Sequence, residues 1–148
     1  MGQSLAKNYI HLIFSIKYRE NTIKVQDLPV LYSYLSGILN NINSPSICIG
    51  GTTNHIHILC TLDKSIALSK MVEEIKRSSS KWIKQQDRSY QKFAWQDGYG
   101  AFSVSQSKVD IVRTYILNQE EHHKRLSYTD ELKKFLEEYE VEFDERYL

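Results

Sequence analysis

The sequence predicts an α+β fold of ferredoxin-like, RRM-like plan: an antiparallel sheet with helices packed on it. Three observations carry that prediction. Short β-rich runs alternate with longer runs of helical periodicity, in the order β-α-β-β-α-β-α-α. The two middle strands are joined by a glycine-rich turn, which makes them an antiparallel hairpin. The chain has 148 residues, enough for one core without cross-links, so residues 1–148 are read as a single domain.

Each element has a local reason. Asn8 to Lys17 alternates loosely and is rich in Ile, Phe and Tyr, which suits a strand. Asp27 is placed to cap a helix reaching Asn43; Pro29 fits its first turn, and Leu28, Leu31, Leu35, Ile38, Leu39 and Ile42 form one stripe. Ser44 and Pro45 break that pattern. Ile47 to Ile49 and His55 to Thr61 are β-rich and flank Gly50-Gly51-Thr52-Thr53-Asn54, which reads as the hairpin turn. Ser65 is placed to cap a helix from Ile66 to Gln86, whose stripe of Leu68, Met71, Val72, Ile75, Trp82 and Ile83 is completed by Ser79. Gly100 to Ser105 alternates as a strand. Lys108 to Lys124 reads as one helix with Ile111, Val112, Tyr115, Ile116 and Gln119 on one face. Ser127-x-x-Asp130 resembles a capping box for a last helix ending near Tyr139.

Composition narrows the class. With 41% hydrophobic and 25% charged residues, the chain is that of an ordinary soluble protein. Its longest strongly apolar run, Tyr9 to Ile16, is too short to span a bilayer and contains His11 and Ser15. Met1 to Lys7 is polar and predicts no signal peptide. Cys48 and Cys60 lie in apolar, strand-like segments and read as buried thiols, which places the protein in the cytoplasm and argues against a zinc site. The net charge of +1 says nothing about nucleic acid, but its distribution is uneven. Lys64 to Lys92 carries eight bases against three acids, and Glu120 to Leu148 ten acids against five bases. A basic middle is compatible with a polyanion groove; the plainer reading is two solvated helix faces of unlike charge.

His55-Ile56-His57 is the sharpest candidate site. On a strand, positions i and i+2 point the same way, about 7 Å apart at the backbone. Two imidazoles can then converge on one ion while Ile56 and Ile58 face the core. The plainer reading is two partly exposed histidines on a solvated sheet face. Gln119 can add an amide oxygen one turn after Tyr115. On an apolar stripe it needs a partner, because an unpaired buried amide costs about 1–3 kcal/mol; its alternative is a solvated helix edge. Two nitrogens and one oxygen leave positions for water and phosphate oxygens, which suits Mg²⁺ or Mn²⁺.

Tyr115 is one of ten tyrosines and, by position, a core aromatic. As a nucleophile, a phenol of pKa about 10 needs roughly 4 kcal/mol to ionise at neutral pH, within reach of a nearby divalent cation. Attack on a phosphodiester would keep the bond energy in a phosphotyrosine linkage, so rejoining needs no ATP. His122 and His123 follow near the same face, either as auxiliary proton donors and ligands or as a complement to the helix dipole. Lys76, Arg77, Ser79 and Lys81 gather cations and hydroxyls on one helix for phosphate contacts. Trp95, Tyr99 and Phe102 can stack bases or pack a core.

Taken together, several segments resemble one family. Asn54-His55-Ile56-His57-Ile58-Leu59 resembles the His-hydrophobe-His strand of the HUH nucleases. Tyr115-Ile116-Leu117-Asn118-Gln119-Glu120-Glu121-His122-His123 resembles the tyrosine helix of the single-tyrosine transposases of bacterial insertion sequences. Trp95-Gln96-Asp97-Gly98-Tyr99-Gly100-Ala101-Phe102 and Leu12-Ile13-Phe14-Ser15-Ile16-Lys17-Tyr18-Arg19 are similar to that family's intervening segment and first strand. The resemblance implies the HUH variant of the ferredoxin-like fold over the whole chain. It implies His55, His57 and Gln119 as metal ligands for Mg²⁺ or Mn²⁺, and Tyr115 as the nucleophile. It also implies cleavage and rejoining of single-stranded DNA beside a hairpin through a 5′-phosphotyrosine, by a homodimer whose tyrosine helix can serve either chain. Asn54 stands where many relatives carry Asp. Two other readings stay open on the residues alone: a non-catalytic single-stranded nucleic-acid-binding module, and a metal phosphoesterase acting on small molecules.

Overall fold

A computed structural model of the chain describes residues 2–19 and 22–148. The strand β1 (Asn8–Ser15) leads to helix α1 (Leu28–Asn41), then to the hairpin of β2 (Ser46–Gly51) and β3 (His55–Leu62). Helix α2 (Leu68–Lys84) returns to β4 (Gly100–Val104), and three helices close the chain: α3 (Val109–Leu117), α4 (Gln119–His122) and α5 (Tyr128–Glu138). The strands form one sheet in the order β2-β3-β1-β4, every neighbouring pair antiparallel. The order places β3 between β1 and β2, a split β-α-β arrangement, and the α+β plan expected from the sequence is the observed one.

Alternation along the two central strands divides the sheet into two unlike faces. Leu12 and Phe14 of β1 and Ile56, Ile58 and Cys60 of β3 point to one face, where they meet Leu31, Leu35 and Leu39 of α1 and Met71, Val72 and Ile75 of α2 in the main core. Tyr34 and Trp82 stack where the two helices touch, 4.7 Å between ring centres. The opposite face carries His11, Ile13 and Ser15 from β1 and His55, His57 and Leu59 from β3, all buried. It is covered by the C-terminal helices. Ile13 and Phe102 pack under Tyr128, Leu132 and Leu136 of α5, while Leu59 and Val104 pack under Ile116 of α3.

Several expected boundaries and caps differ. β1 ends at Ser15, and Ile16 makes a single bridge to Trp95 before the backbone turns through positive φ at Tyr18 and Arg19. The hairpin turn is shorter than expected, because Gly50 and Gly51 belong to β2. α2 begins at Leu68 without a side-chain cap; Ser65 instead bonds Asp63 within the preceding turn. Asp27 makes no cap bond to α1 and accepts the Tyr90 hydroxyl at 2.5 Å. Ser127 does cap α5, accepting the Asp130 N–H at 3.1 Å. The single helix expected over Lys108 to Lys124 is broken at Asn118, and Ile111, expected on its buried stripe, is 60% exposed. Cys60 is buried as expected, but Cys48 is only half-buried. Among the described residues no helix is long and apolar enough to cross a membrane.

Candidate functional site

The polar face of the sheet collects a compact buried cluster. β3 presents His55 and His57, both 0% exposed, because the pleat sends i and i+2 to one side. α3 can lie close above them because Gly50, which pairs with His57 across the hairpin, has no side chain: a Cβ there would sit 2.6 Å from the Ile116 carbonyl oxygen. That approach brings Tyr115 and Gln119 over the histidines. Helix α5 enters from the other side. Its stripe of Tyr128, Leu132 and Leu136 packs on the sheet, and Glu131 on the same stripe points inward, 1% exposed.

Each imidazole is held from behind and aims forward. His55 Nδ1 lies 2.8 Å from Asn54 Oδ1 and 2.9 Å from Thr52 Oγ1, while its Nε2 lies 3.0 Å from Gln119 Oε1. His57 Nδ1 lies 2.8 Å from Nε2 of the buried His11, while its own Nε2 lies 2.9 Å from Glu131 Oε1. His123 Nε2 is 3.1 Å from the same oxygen. The Gln119 amide nitrogen donates to Glu131 Oε2 at 3.2 Å, which turns the amide oxygen toward His55. The Tyr115 hydroxyl donates to Glu131 Oε2 through a short hydrogen bond. His122 stacks on the Tyr115 ring at 4.4 Å.

Electrostatics keeps this cluster primed for a cation. Burial, reinforced by the neighbouring imidazoles, pushes His11 and His55 down to about 3 and lowers His57 as well. The rings are therefore neutral near pH 7, the form that ligates metals. Burial would raise Glu131, but hydrogen bonds from His57 and Tyr115 outweigh it and hold the carboxyl below its usual range. Tyr115 moves up, first through burial and then because Glu131 holds its proton.

The donor set fits a divalent ion. A neutral imidazole carries one proton, and His55 can place it on Nδ1, where Asn54 Oδ1 accepts it, or on Nε2, where Gln119 Oε1 accepts it and the Thr52 hydroxyl donates to Nδ1. With the proton on Nδ1, the Nε2 lone pair confronts the Gln119 oxygen, an arrangement that a cation relieves. His55, His57, His123 and Glu131 offer ligand atoms that all lie within 4.8 Å of one another. Outer partners on Nδ1 are the usual way a protein fixes a ligating imidazole.

The structure thus brings together Tyr115, His55, His57, Gln119 and His123 within one chain, with His122 on the phenol. Neither histidine of the His-x-His pair lies partly exposed on a solvated face. Of the residues expected at DNA, Lys76, Arg77, Trp95 and Tyr99 line one open recess. Trp95 is 6% exposed and donates its indole N–H to Ser79 Oγ at 2.9 Å; Ser79 is fully buried, and Trp95 keeps only an edge in the recess. Phe102 is likewise core. Lys76 is half-buried, bonded to the Gln96 and Gly98 carbonyls at 2.7 Å each, and burial pushes its ammonium down to about 8. Arg77 pairs with Glu74 at 2.5 Å. Tyr99 and Lys81 remain at the surface.

Two site residues escaped the sequence reading. His11 had a signal, a histidine at an inward position of a core strand. Glu131 had one too: a carboxylate three residues after Tyr128 and one before Leu132, on an otherwise apolar stripe.

Comparisons with known proteins give the family and the fold. The chain matches a family described as "Transposase IS200 like" over residues 4–119. A candidate transposase from Deinococcus radiodurans R1 has a similar fold, with a TM-score of 0.62 and 19% identity over 80% of this chain and 96% of that one. A REP-associated tyrosine transposase bound to a REP hairpin superposes with a TM-score of 0.61 and 13% identity, over 83% of this chain and 73% of that one. No curated protein matches the chain. The family match spans well over half of the sequence and includes both histidines, Tyr115 and Gln119, and the chain belongs to the IS200-like transposase family.

Proposed function

We propose that this transposase cleaves and rejoins single-stranded DNA with Tyr115 as nucleophile and His55, His57 and Gln119 as ligands of Mg²⁺ or Mn²⁺. The observation that carries the proposal is the meeting of the phenol with two forward-aimed imidazoles and an amide oxygen inside one buried cluster. The bound ion would act as a Lewis acid on a phosphate oxygen.

The chain's own residues do the rest. Tyr115 Oη attacks phosphorus and the bond to the 3′ oxygen breaks. The phenol proton passes along its hydrogen bond to Glu131 Oε2, and the carboxyl gives it up through water to the departing 3′ oxygen, which leaves as a free hydroxyl. The DNA 5′ end stays on the tyrosine as a phosphodiester, and the reverse attack by a 3′ hydroxyl rejoins it. A recess beside the phenol, lined by His122, Arg125 and Lys134 among others, offers cations to the DNA backbone. The solved relative bound to a REP hairpin supports a hairpin-bearing substrate here. The metal-facing atoms are buried in this conformation, so a phosphate reaches them only when one of the covering elements moves.

The test mixes the full chain, Mn²⁺ and a hairpin-bearing single strand and looks for a covalent adduct on a denaturing gel. Tyr115→Phe should lower adduct formation by at least ~10⁴-fold, since the remaining groups cannot replace a nucleophile. An adduct that persists in that variant would remove Tyr115 from the mechanism. Binding that survives chelation with no adduct in the wild type would instead favour the non-catalytic DNA-binding reading. Association into a homodimer is checked by light scattering. A monomer that still forms adduct would mean that one chain suffices, as the geometry within a single copy allows.

A further inference from the structure

Gln119 is the oxygen ligand that the sequence points to, but a second oxygen lies among three imidazoles. Glu131 Oε1 lies 2.9 Å from His57 Nε2, 3.1 Å from His123 Nε2 and 3.8 Å from His55 Nε2. Ligand atoms about 2.1 Å from an octahedral ion stand about 3.0 Å apart along each edge. The Glu131 separations to His57 and His123, and the 3.0 Å between His55 Nε2 and Gln119 Oε1, match that spacing.

Charge argues the same way. Two imidazoles and an amide form a neutral set, whereas hard divalent ions favour carboxylate oxygen. Glu131 is a buried anion whose charged-group contacts, among the described residues, are with histidines and not with any lysine or arginine. A buried charge without a compensating cation is costly, and a bound divalent ion supplies the missing charge. The second carboxylate oxygen, Oε2, accepts from the Tyr115 hydroxyl and from the Gln119 amide.

We propose that Glu131 is the carboxylate ligand of the metal centre, binding the ion through Oε1 while Oε2 sets the Tyr115 phenol beside it. One side chain then fixes the distance between metal and nucleophile. Helix α5, which lies beyond the segment matched to the family, becomes part of the active site. This inference rests on the metal-centre reading above and adds a ligand to it.

The test measures Mn²⁺ affinity of the full chain by titration calorimetry, with Co²⁺ visible absorption as a second readout. Glu131→Ala should weaken Mn²⁺ binding by at least ~10-fold, because losing even an outer partner of a ligand costs about 10–100-fold. Glu131→Gln, which keeps the volume of the side chain, should also weaken it and should change the Co²⁺ spectrum. Ser127→Ala loosens the same helix without touching a ligand and should leave that spectrum unchanged; a matching change there would reduce Glu131 to a structural role. If His57→Ala loses the metal while both Glu131 variants bind as tightly as wild type, Glu131 is not a ligand and the His-pair centre stands. A Glu131→Gln protein with wild-type affinity and faster cleavage would make the carboxylate a plug, which also overturns the proposal. Wild-type protein that binds no Mn²⁺ would overturn the metal centre itself, and this inference with it.

Discussion

The two faces of the sheet solve the same problem, burial, by opposite means. On one face Leu12, Phe14, Ile56 and Ile58 meet the leucines of α1 and the apolar stripe of α2. These side chains need only be apolar and of compatible volume, and their stabilisation is non-directional. On the other face His11, His55, His57, Gln119 and Glu131 are just as inaccessible, yet each must find a partner of defined geometry. No buried side-chain polar atom among the described residues lacks a hydrogen bond. The polar face therefore contributes little net stability for its burial, since hydrogen bonds gained replace hydrogen bonds to water. It holds chemistry in place while the apolar face holds the fold.

That division can be broken from either side. The largest effect of a single substitution on stability should come from the apolar face: Ile58→Ala should cost about 2–5 kcal/mol, read by denaturant unfolding, while Mn²⁺ affinity of the folded fraction stays near wild type. A loss of metal affinity beyond the unfolded fraction would show that the faces are not independent.

Lowering the pH attacks the polar face without any substitution. His11 and His55 have folded values near 3, well below the ordinary 6.5. As pH falls below about 6.5 the unfolded chain takes up protons that the folded chain refuses, so stability must fall toward pH 3. The slope is up to about 1.4 kcal/mol per pH unit for each histidine. Glu131, also depressed, acts in the same direction at lower pH. Urea midpoints that stay flat from pH 7 to 5 would mean these imidazoles are not held neutral.

The smallest effect should come from the helix that covers the polar face. Ser127→Ala removes the cap of α5 and should cost about 1 kcal/mol in thermal unfolding. A cost indistinguishable from zero would mean that packing of Tyr128, Leu132 and Leu136 alone fixes α5, and with it Glu131.

By itself the sequence determined the element order, the hairpin, the apolar faces of α1 and α2, and the placing of His55 and His57 together on the face of β3 opposite Ile56 and Ile58. These are periodic or local properties, and a period of two along β3 fixes which side chains share a face. The Tyr115–Gln119 spacing was legible for the same reason, although the break at Asn118 was not. Tertiary structure decided the rest. His11 reaches His57 because β1 and β3 are sheet neighbours from distant parts of the chain, and Glu131 arrives from α5, 74 residues after His57. Ser79 reads as a surface hydroxyl but is buried, where it accepts the Trp95 indole N–H. A buried polar residue reveals its role only through its partner, and no periodicity in the chain records a partner that distant.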